Sequence, residues 1–172
     1  AVGVLIDIDP NRAKEQVKSV SEVVREGIQD VRGSLNRLRP GALEGRTLKD
    51  ALEKMIREYQ TLSNLQVDLH YEWVDVDMDV MIEDTIFRVI QESMTNAVRH
   101  GHASQMSLHF FEDEEDYLIE LQDNGVGFET LTYGYGLKQM MERISILGGQ
   151  LQFESRDGFF TRVSLPKYKE GR

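Results

Sequence analysis

The stretch MSLHFFEDEEDYLIELQDNGVGF, residues 106–128, decides the architecture. It reads as two strands, near Met106–Phe111 and Tyr117–Gln122, on either side of the acidic turn Glu112–Asp116, and it runs out into a glycine-rich stretch. A second strand pair follows, about Gln150–Ser155 and Phe160–Leu165, turning at Arg156-Asp157-Gly158. Between the pairs lies a helix near Gly136–Leu147, closed by Gly148-Gly149. Upstream, Asp79–His100 is helical, with Ile82, Ile86, Val89, Ile90 and Met94 directed inward. Before it, Val67, Leu69, Tyr71 and Trp73 alternate with Asp68, His70 and Glu72, the pattern of a half-buried strand. Thr47-Leu-Lys-Asp50 resembles a capping box with Asp in place of Glu, and opens a helix with Leu48, Leu52, Met55, Ile56 and Tyr59 on one face. Strands joined by tight turns beside segregated helices indicate an α+β fold, a two-layer α/β sandwich.

Ahead of this domain the pattern changes. Val17, Ser21, Val24, Ile28, Val31, Leu35 and Leu38 are spaced 4, 3, 4, 3, 4 and 3 apart. A repeat of about 3.5 residues over that length marks a seam against another helix, in a coiled coil or four-helix bundle. The alternative is a solitary amphipathic helix packed on its own domain. Asp9 and Pro10 suit the helix start, and Arg39-Pro40-Gly41 stops it. The expected organisation is a partial dimerisation stem over residues 1–40, a hinge over 41–46 and a globular domain over 47–168. Because the chain supplies no partner helices, the bundle reading carries an expectation of self-association.

The chain has 172 residues, room for one substantial core and an appendage. No apolar run approaches the roughly 20 residues that cross a bilayer. With no cysteine, disulfides, thiolate metal sites and thiol nucleophiles are excluded. A net charge of −10 argues against broad contact with nucleic acid, which needs Lys and Arg on its phosphates. A small polyanion held by backbone N–H groups and a metal ion is compatible with that charge.

Three segments carry chemistry. In Glu92-Ser-Met-Thr-Asn96-Ala-Val-Arg99-His100, Glu92 and Asn96 share one helix face a turn apart. A carboxylate and an amide oxygen so placed suit a water and a hard Mg²⁺ ion, though a solvated helix surface is the simpler explanation of this segment taken alone. In Asp123-Asn-Gly125-Val-Gly127-Phe128, the glycines permit close approach to backbone, and an Asp at a strand end accepts a hydrogen bond from an amino group such as that of adenine. A functionless β-turn accounts for the same residues. In Gly134-Tyr-Gly136-Leu137, glycines precede a helix N-terminus, a phosphate site by virtue of its free N–H groups. Lys138 in the first turn opposes the helix dipole unless an anion is present.

In combination and in this order, the segments resemble the GHKL superfamily of histidine kinases, gyrase, Hsp90 and MutL. The run Tyr135-Gly-Leu-Lys-Gln-Met-Met-Glu-Arg-Ile-Ser-Ile-Leu-Gly-Gly149 and the Asn-Ala-x-Arg-His form of the helix motif are similar to histidine kinases of the NarL/DesK type. The resemblance covers roughly Thr47 to Pro166, and the stem is similar to the second helix of that group's dimerisation bundle. It implies a Bergerat ATP-binding fold, with Asn96 on Mg²⁺ and Glu92 as general base or orienting group. Arg99 and His100 would lie near the phosphates. Asp123 would hold the adenine amino group, and Gly125 and Gly127 would shape the pocket wall. Gly134 and Gly136, leading to Leu137, would present backbone N–H groups at the lid edge, and Thr161 would reach adenine through water.

Phe159-Phe160 departs from the family's usual approach to that threonine. Only five residues separate Phe128 from Gly134, so the lid is short and an exposed triphosphate with modest affinity is expected. The larger departure concerns the acceptor: the first histidine is His70, in an expected strand, and His100, His102 and His109 follow it. None lies on a bundle helix, so the acceptor histidine is expected on a separate or missing segment, as in a fragment beginning midway through the bundle. The expected function is ATP-dependent histidine phosphorylation in a two-component system, with a response-regulator receiver domain as partner, a homodimer through the stem, and a cytoplasmic location. Another GHKL ATPase or serine kinase, or a non-catalytic nucleotide-binding or dimerisation module, are the alternatives.

Overall fold

The computed structural model describes residues 45–73 and 78–167, with single positions 12, 14, 15, 17, 43 and 76. The chain divides into two compact units, Ala1–Glu44 and Gly45–Arg172. Of the stem expected over Pro10–Leu38, Arg12, Lys14, Glu15 and Val17 are helical, and its other residues lie outside the described ones.

The second unit opens with helix α1, Leu48–Leu62. Thr47 is its N-cap, accepting the Asp50 N–H at 3.2 Å. The return arm differs from a capping box: the Asp50 carboxylate accepts from the Thr47 hydroxyl, at 2.8 Å, because Asp is one methylene shorter than the Glu that reaches the cap's backbone N–H. Leu48, Ala51, Leu52, Met55 and Ile56 bury one face. Strand β1, Gln66–Tyr71, alternates as the sequence predicts, and Trp73 lies buried just past its end, donating its indole N–H to the Phe111 carbonyl at 2.6 Å.

Helix α2, Val80–Arg99, is capped by Asp79, whose carboxylate accepts the Met81 N–H at 2.7 Å. Asp79 and His100, the expected end residues, are its two caps. Strands β2, Gln105–Glu112, and β3, Asp116–Asp123, form the first hairpin. Both strands run one residue into the expected acidic turn. Asp113 gathers that turn by accepting the N–H groups of Asp116, foremost, and Glu115, which hold its carboxyl below the ordinary carboxylate value. Helix α3, Tyr135–Ile146, and strands β4, Gln150–Ser155, and β5, Phe159–Pro166, complete the unit.

The sheet order is β1-β2-β3-β5-β4, with β1 parallel to β2 and every other pair antiparallel. Alternate residues Met106, Leu108 and Phe110, Ile119 and Leu121, and Val163 and Leu165 fall in register on one buried face. Against it pack α1 beside β1, α3 beside β4, and α2 between them. Each such side chain contributes about 1.5–3 kcal/mol on burial, so this face, not helix propensity, holds α2 in place. The α+β two-layer sandwich expected from the element order is the one observed.

Candidate functional site

The C-terminal half of α2 forms one side of the site. Ser93, Met94 and Ala97 are buried, while Glu92 and Asn96 are half-buried on the adjoining face. Ser93 donates to the Val89 carbonyl at 2.9 Å and lies 3.8 Å from the Met140 sulfur, tying α2 to α3. Thr95 spends its one hydroxyl proton on the Gln91 carbonyl at 2.8 Å, so the Tyr59 hydroxyl must be the donor in their 2.7 Å bond. Burial raises the Tyr59 pKa above its ordinary value; the Thr95 bond lowers it, Glu92 raises it and Arg99 lowers it. Arg99 closes α2, and His100 is its exposed C-cap, with its N–H on the Asn96 carbonyl at 2.9 Å.

The opposite side is built on Asp123, at the end of β3 and 6% exposed. Its Oδ1 accepts two backbone N–H groups, from Gly125 at 2.8 Å and Phe159 at 3.1 Å. Its Oδ2 makes no hydrogen bond among the described residues, yet no unpartnered side-chain oxygen there is sealed from solvent, so Oδ2 opens outward as an acceptor. Thr161, 3% exposed and in register with Leu121, likewise has a hydroxyl that bonds to no described residue.

The wall around Asp123 is backbone laid on backbone. A Cβ on Gly158, where φ is +138°, would stand 1.9 Å from the Asp123 carbonyl oxygen. One on Gly125 would stand 2.5 Å from the Gly101 carbonyl oxygen, and the Val126 N–H bonds to that same oxygen at 3.0 Å. Gly127, at φ +59°, lies against Gly158 and Ser155, and the Ser155 hydroxyl accepts the Phe128 N–H at 3.1 Å. Asn124 accepts the N–H groups of Ser104 and Gln105, both at 2.9 Å, and so pins the loop after α2. Phe128 and Phe153 lie 5.3 Å and 5.6 Å from Phe159, between ring centres. Phe159 is thus part of this wall, through both its ring and its N–H.

The third side, the lid edge, is open. Gly134 is the N-cap of α3, exposed and without a side-chain cap bond; its N–H is on the Thr132 carbonyl at 3.0 Å. A Cβ there would meet nothing within 4 Å. Gly136 faces Glu92, whose Oε1 would lie 2.0 Å from a Cβ at that position. Leu137 is half-buried and Lys138 exposed.

The structure therefore joins Asp123, Gly125 and Gly127 in one wall and Glu92 with Gly136 in one contact, and leaves His100 and Gly134 at the surface. Sequence reasoning missed Gly101, Ser155 and Gly158. Gly158 read as a mere turn residue, and its signal would have been the need for a partner to Asp123 across the sheet. An open concavity of about 690 Å³, lined by Asp68, Ser107, Gln122 and Arg156 among others, adjoins the wall and shares Gln105, Asp123 and Asn124 with it.

Residues 81–169, more than half of the chain, match the family of histidine kinase-, DNA gyrase B- and HSP90-like ATPases. The chain belongs to this ATPase family. Residues 1–43 match a second family, described as histidine kinase. Among curated relatives of the chain, the signal transduction histidine-protein kinase/phosphatase UhpB of Salmonella typhimurium is 34% identical over 163 residues, covering 91% of the chain and 32% of UhpB. The sensor histidine kinase LiaS of Bacillus subtilis is 29% identical over 162 residues, covering 92% of the chain and 44% of LiaS. The chain thus spans less than half of the length of these relatives, 32% of UhpB and 44% of LiaS. In fold it is similar to the Acinetobacter baumannii histidine kinase AdeS, with TM-score 0.61 at 18% identity over 92% of the chain and 84% of AdeS. The ATP binding domain of PrrB from Mycobacterium tuberculosis gives TM-score 0.59 at 20% identity over 70% of the chain and 93% of that domain.

Proposed function

We propose that this ATPase domain is the Mg-ATP-binding catalytic part of a two-component sensor histidine kinase, passing the γ-phosphoryl group to a histidine on a bundle helix for relay to a response-regulator receiver domain. Asp123 carries the reading. It is a buried carboxylate with one oxygen held by two backbone N–H groups and the other left as an acceptor beside a glycine wall. An adenine amino group calls for such a partner, and an unmatched acceptor in a desolvated site is costly. Thr161 assists the base through water.

Asn96 and Glu92 are hard oxygen donors of the kind Mg²⁺ accepts. Among the described residues no three of His, Cys, Asp and Glu cluster to hold a metal, so an ion here draws most of its ligands from phosphate and water, with Asn96 as the protein ligand. When bound, Mg²⁺ neutralises charge on the phosphates during transfer. The chain's own groups do the rest. Arg99 and His100 from the end of α2, and the N–H groups that lead into α3 at Gly134 and Gly136, the former on leaving the Thr132 carbonyl, meet the phosphates. Glu92 orients the acceptor imidazole and takes its N–H proton as the N–P bond forms and the bond from Pγ to the departing ADP oxygen breaks. The lid edge, exposed from Thr132 to Tyr135, leaves the γ-phosphate accessible to a second domain.

We further infer that residues 1–40 belong to a dimerisation stem, that 41–46 form the hinge and that 47–168 form the ATP-binding domain. The stem's 3.5-residue repeat favours a homodimer. Among the described residues no helix is long and apolar enough to cross a membrane, and in a membrane-bound parent this part would lie on the cytoplasmic side, where ATP is. The test is to mix the chain with ATP, Mg²⁺ and a helical fragment bearing an acceptor histidine. An acid-labile phosphoprotein is expected; an acid-stable product, or nucleotide binding without transfer, would assign the domain to another activity.

A further inference from the structure

Gly136 sits at the second position of α3, where a helix normally gains from an ordinary side chain: glycine costs about 0.5–1 kcal/mol relative to alanine in a helix. Its dihedrals do not require glycine, since its φ is not among the positive values. No backbone of another element requires it either. The three atoms nearest to a Cβ built there all belong to Glu92: Oε1 at 2.0 Å, Cδ at 3.0 Å and Cγ at 3.5 Å. What a side chain at this position would displace is therefore one group, the carboxylate end of Glu92, which reaches over from α2.

The backbone that carries that carboxylate is fixed. One residue along, Ser93 meets Met140 of α3, and three residues along, Thr95 takes the Tyr59 hydroxyl bond from α1. The backbone beneath Glu92 is thus clamped between two helices, and the remaining freedom is that of its own side chain. Gly136 leaves that side chain a place beside the start of α3. The first turn of α3 holds no acidic residue and its N-cap makes no side-chain bond, so the partial positive charge at this helix end faces Glu92 without competition from its own turn.

We infer that Gly136 is a positioning residue for phosphoryl transfer: its bare Cα is the seat on which the start of the lid helix holds the Glu92 carboxylate. This rests on the kinase reading of Glu92 given above. This role is additional to the phosphate contact of the Gly136 N–H, which alanine keeps: what glycine adds is the space where a Cβ would stand, and Glu92 Oε1 fills it. Movement of the α3 N-terminus is then also movement of the base, so closure of the lid edge and readiness for transfer are one event.

The experiment is a double-mutant cycle between Gly136→Ala and Glu92→Asp. The carboxyl carbon of aspartate falls where Cγ of Glu92 now stands, 3.5 Å from the built Cβ, and its oxygens about where Cδ is, at 3.0 Å, so the 2.0 Å overlap with the added methyl is reduced to one that a small shift relieves. Three quantities are measured on the full chain: the dissociation constant for Mg-ATP by calorimetry, the transfer rate at saturating ATP to a supplied acceptor-histidine helix, and the melting temperature. Gly136→Ala in the Glu92 background is expected to keep the dissociation constant within about twofold and to slow transfer about tenfold or more, since a misplacement of about 1 Å costs up to 10²-fold. In the Glu92→Asp background the same alanine is expected to leave the slower transfer unchanged and to raise the melting temperature, which it does not do beside glutamate. Should Gly136→Ala alone fail to fold, the double variant still folds, and that difference itself supports the contact. Weaker nucleotide affinity by equal factors in both backgrounds, normal transfer by Gly136→Ala, or additive melting shifts would each overturn the inference. Absence of transfer by the unaltered chain would instead overturn the kinase reading beneath it.

Discussion

Two sets of glycines border the site, and they are there for different reasons. In the base wall, Gly125 and Gly158 are pressed against the carbonyls of Gly101 and Asp123, with built Cβ distances of 2.5 and 1.9 Å. At the lid edge, Gly134 has open space around it and Gly136 meets only the end of a flexible side chain. The wall glycines are needed for the domain to close on itself; the lid glycines are tolerated by the fold and needed by something else. A motif that looks uniform on paper thus mixes residues whose loss is a folding defect with residues whose loss is a functional one.

The comparison breaks most easily at Gly158. Gly158→Ala combines left-handed backbone at φ +138° with overlap on the Asp123 carbonyl, and is expected to cost about 3 kcal/mol or more, measured by urea denaturation. A loss below 1 kcal/mol would show that the wall yields and that the two sets are alike. Next is Asp123→Asn, which keeps the shape of the wall but replaces one carboxylate oxygen with a donor group. ATP affinity should fall about 100-fold, or some 2–3 kcal/mol by calorimetry, because a matched acceptor becomes a clash of donors. Unchanged affinity would remove the adenine assignment.

Gly134→Ser should have the opposite sign in stability. The N-cap there is extended, at φ −68° and ψ 178°, and has no side-chain cap, so a serine hydroxyl should add about 0.5 kcal/mol. A rise of one or two degrees in melting temperature with weaker nucleotide binding would mark a glycine kept for function; a fall in melting temperature would place it with the wall.

The smallest effect sharpens the comparison from outside both regions. Tyr71, packed 4.8 Å from Phe110 between ring centres, has its pKa pushed up to about 12 from 10.0, first by burial and then by Glu83. Below pH 10 the phenol is protonated folded or unfolded, and its stabilising contribution is complete. Between pH 10 and about 12 the unfolded chain gives up this proton while the folded chain keeps it, so stability falls as pH rises. Tyr71→Phe should flatten that alkaline decline in melting temperature. An unchanged decline would put the titrating group elsewhere, with Tyr59, also raised, as the next to replace.

Much of this was legible in advance because local chemistry marked it. The α2 helix was framed by Asp79 and His100, and its inward face by Ile86, Val89, Ile90 and Met94, since a 3.6-residue period needs no knowledge of what it packs on. Ile82, expected inward with them, is only half-buried, in the first turn of the helix. The strands of both hairpins were readable, though β3 extends to Asp123 and so makes this residue part of the sheet, not of the loop. Asp123 itself was singled out. Its partners Gly158 and Phe159 were not, because a residue's neighbour across two strands leaves no trace in local spacing.

The sequence by itself determined the elements, their order and the α+β class, through periodicity, caps and turn residues acting within a few positions of one another. It also marked the polar residues Glu92, Asn96 and Asp123 as chemically unusual. Only the tertiary structure decided that β1 lies parallel to β2, that the Asp123 carboxylate has one oxygen engaged and one open, and that Gly136 faces Glu92 while Gly134 faces solvent. The pairing of β1 with β2, the bond from Phe159 to Asp123 and the contact of Glu92 with Gly136 join positions more than 35 residues apart, and no local pattern encodes which distant backbone will close on which.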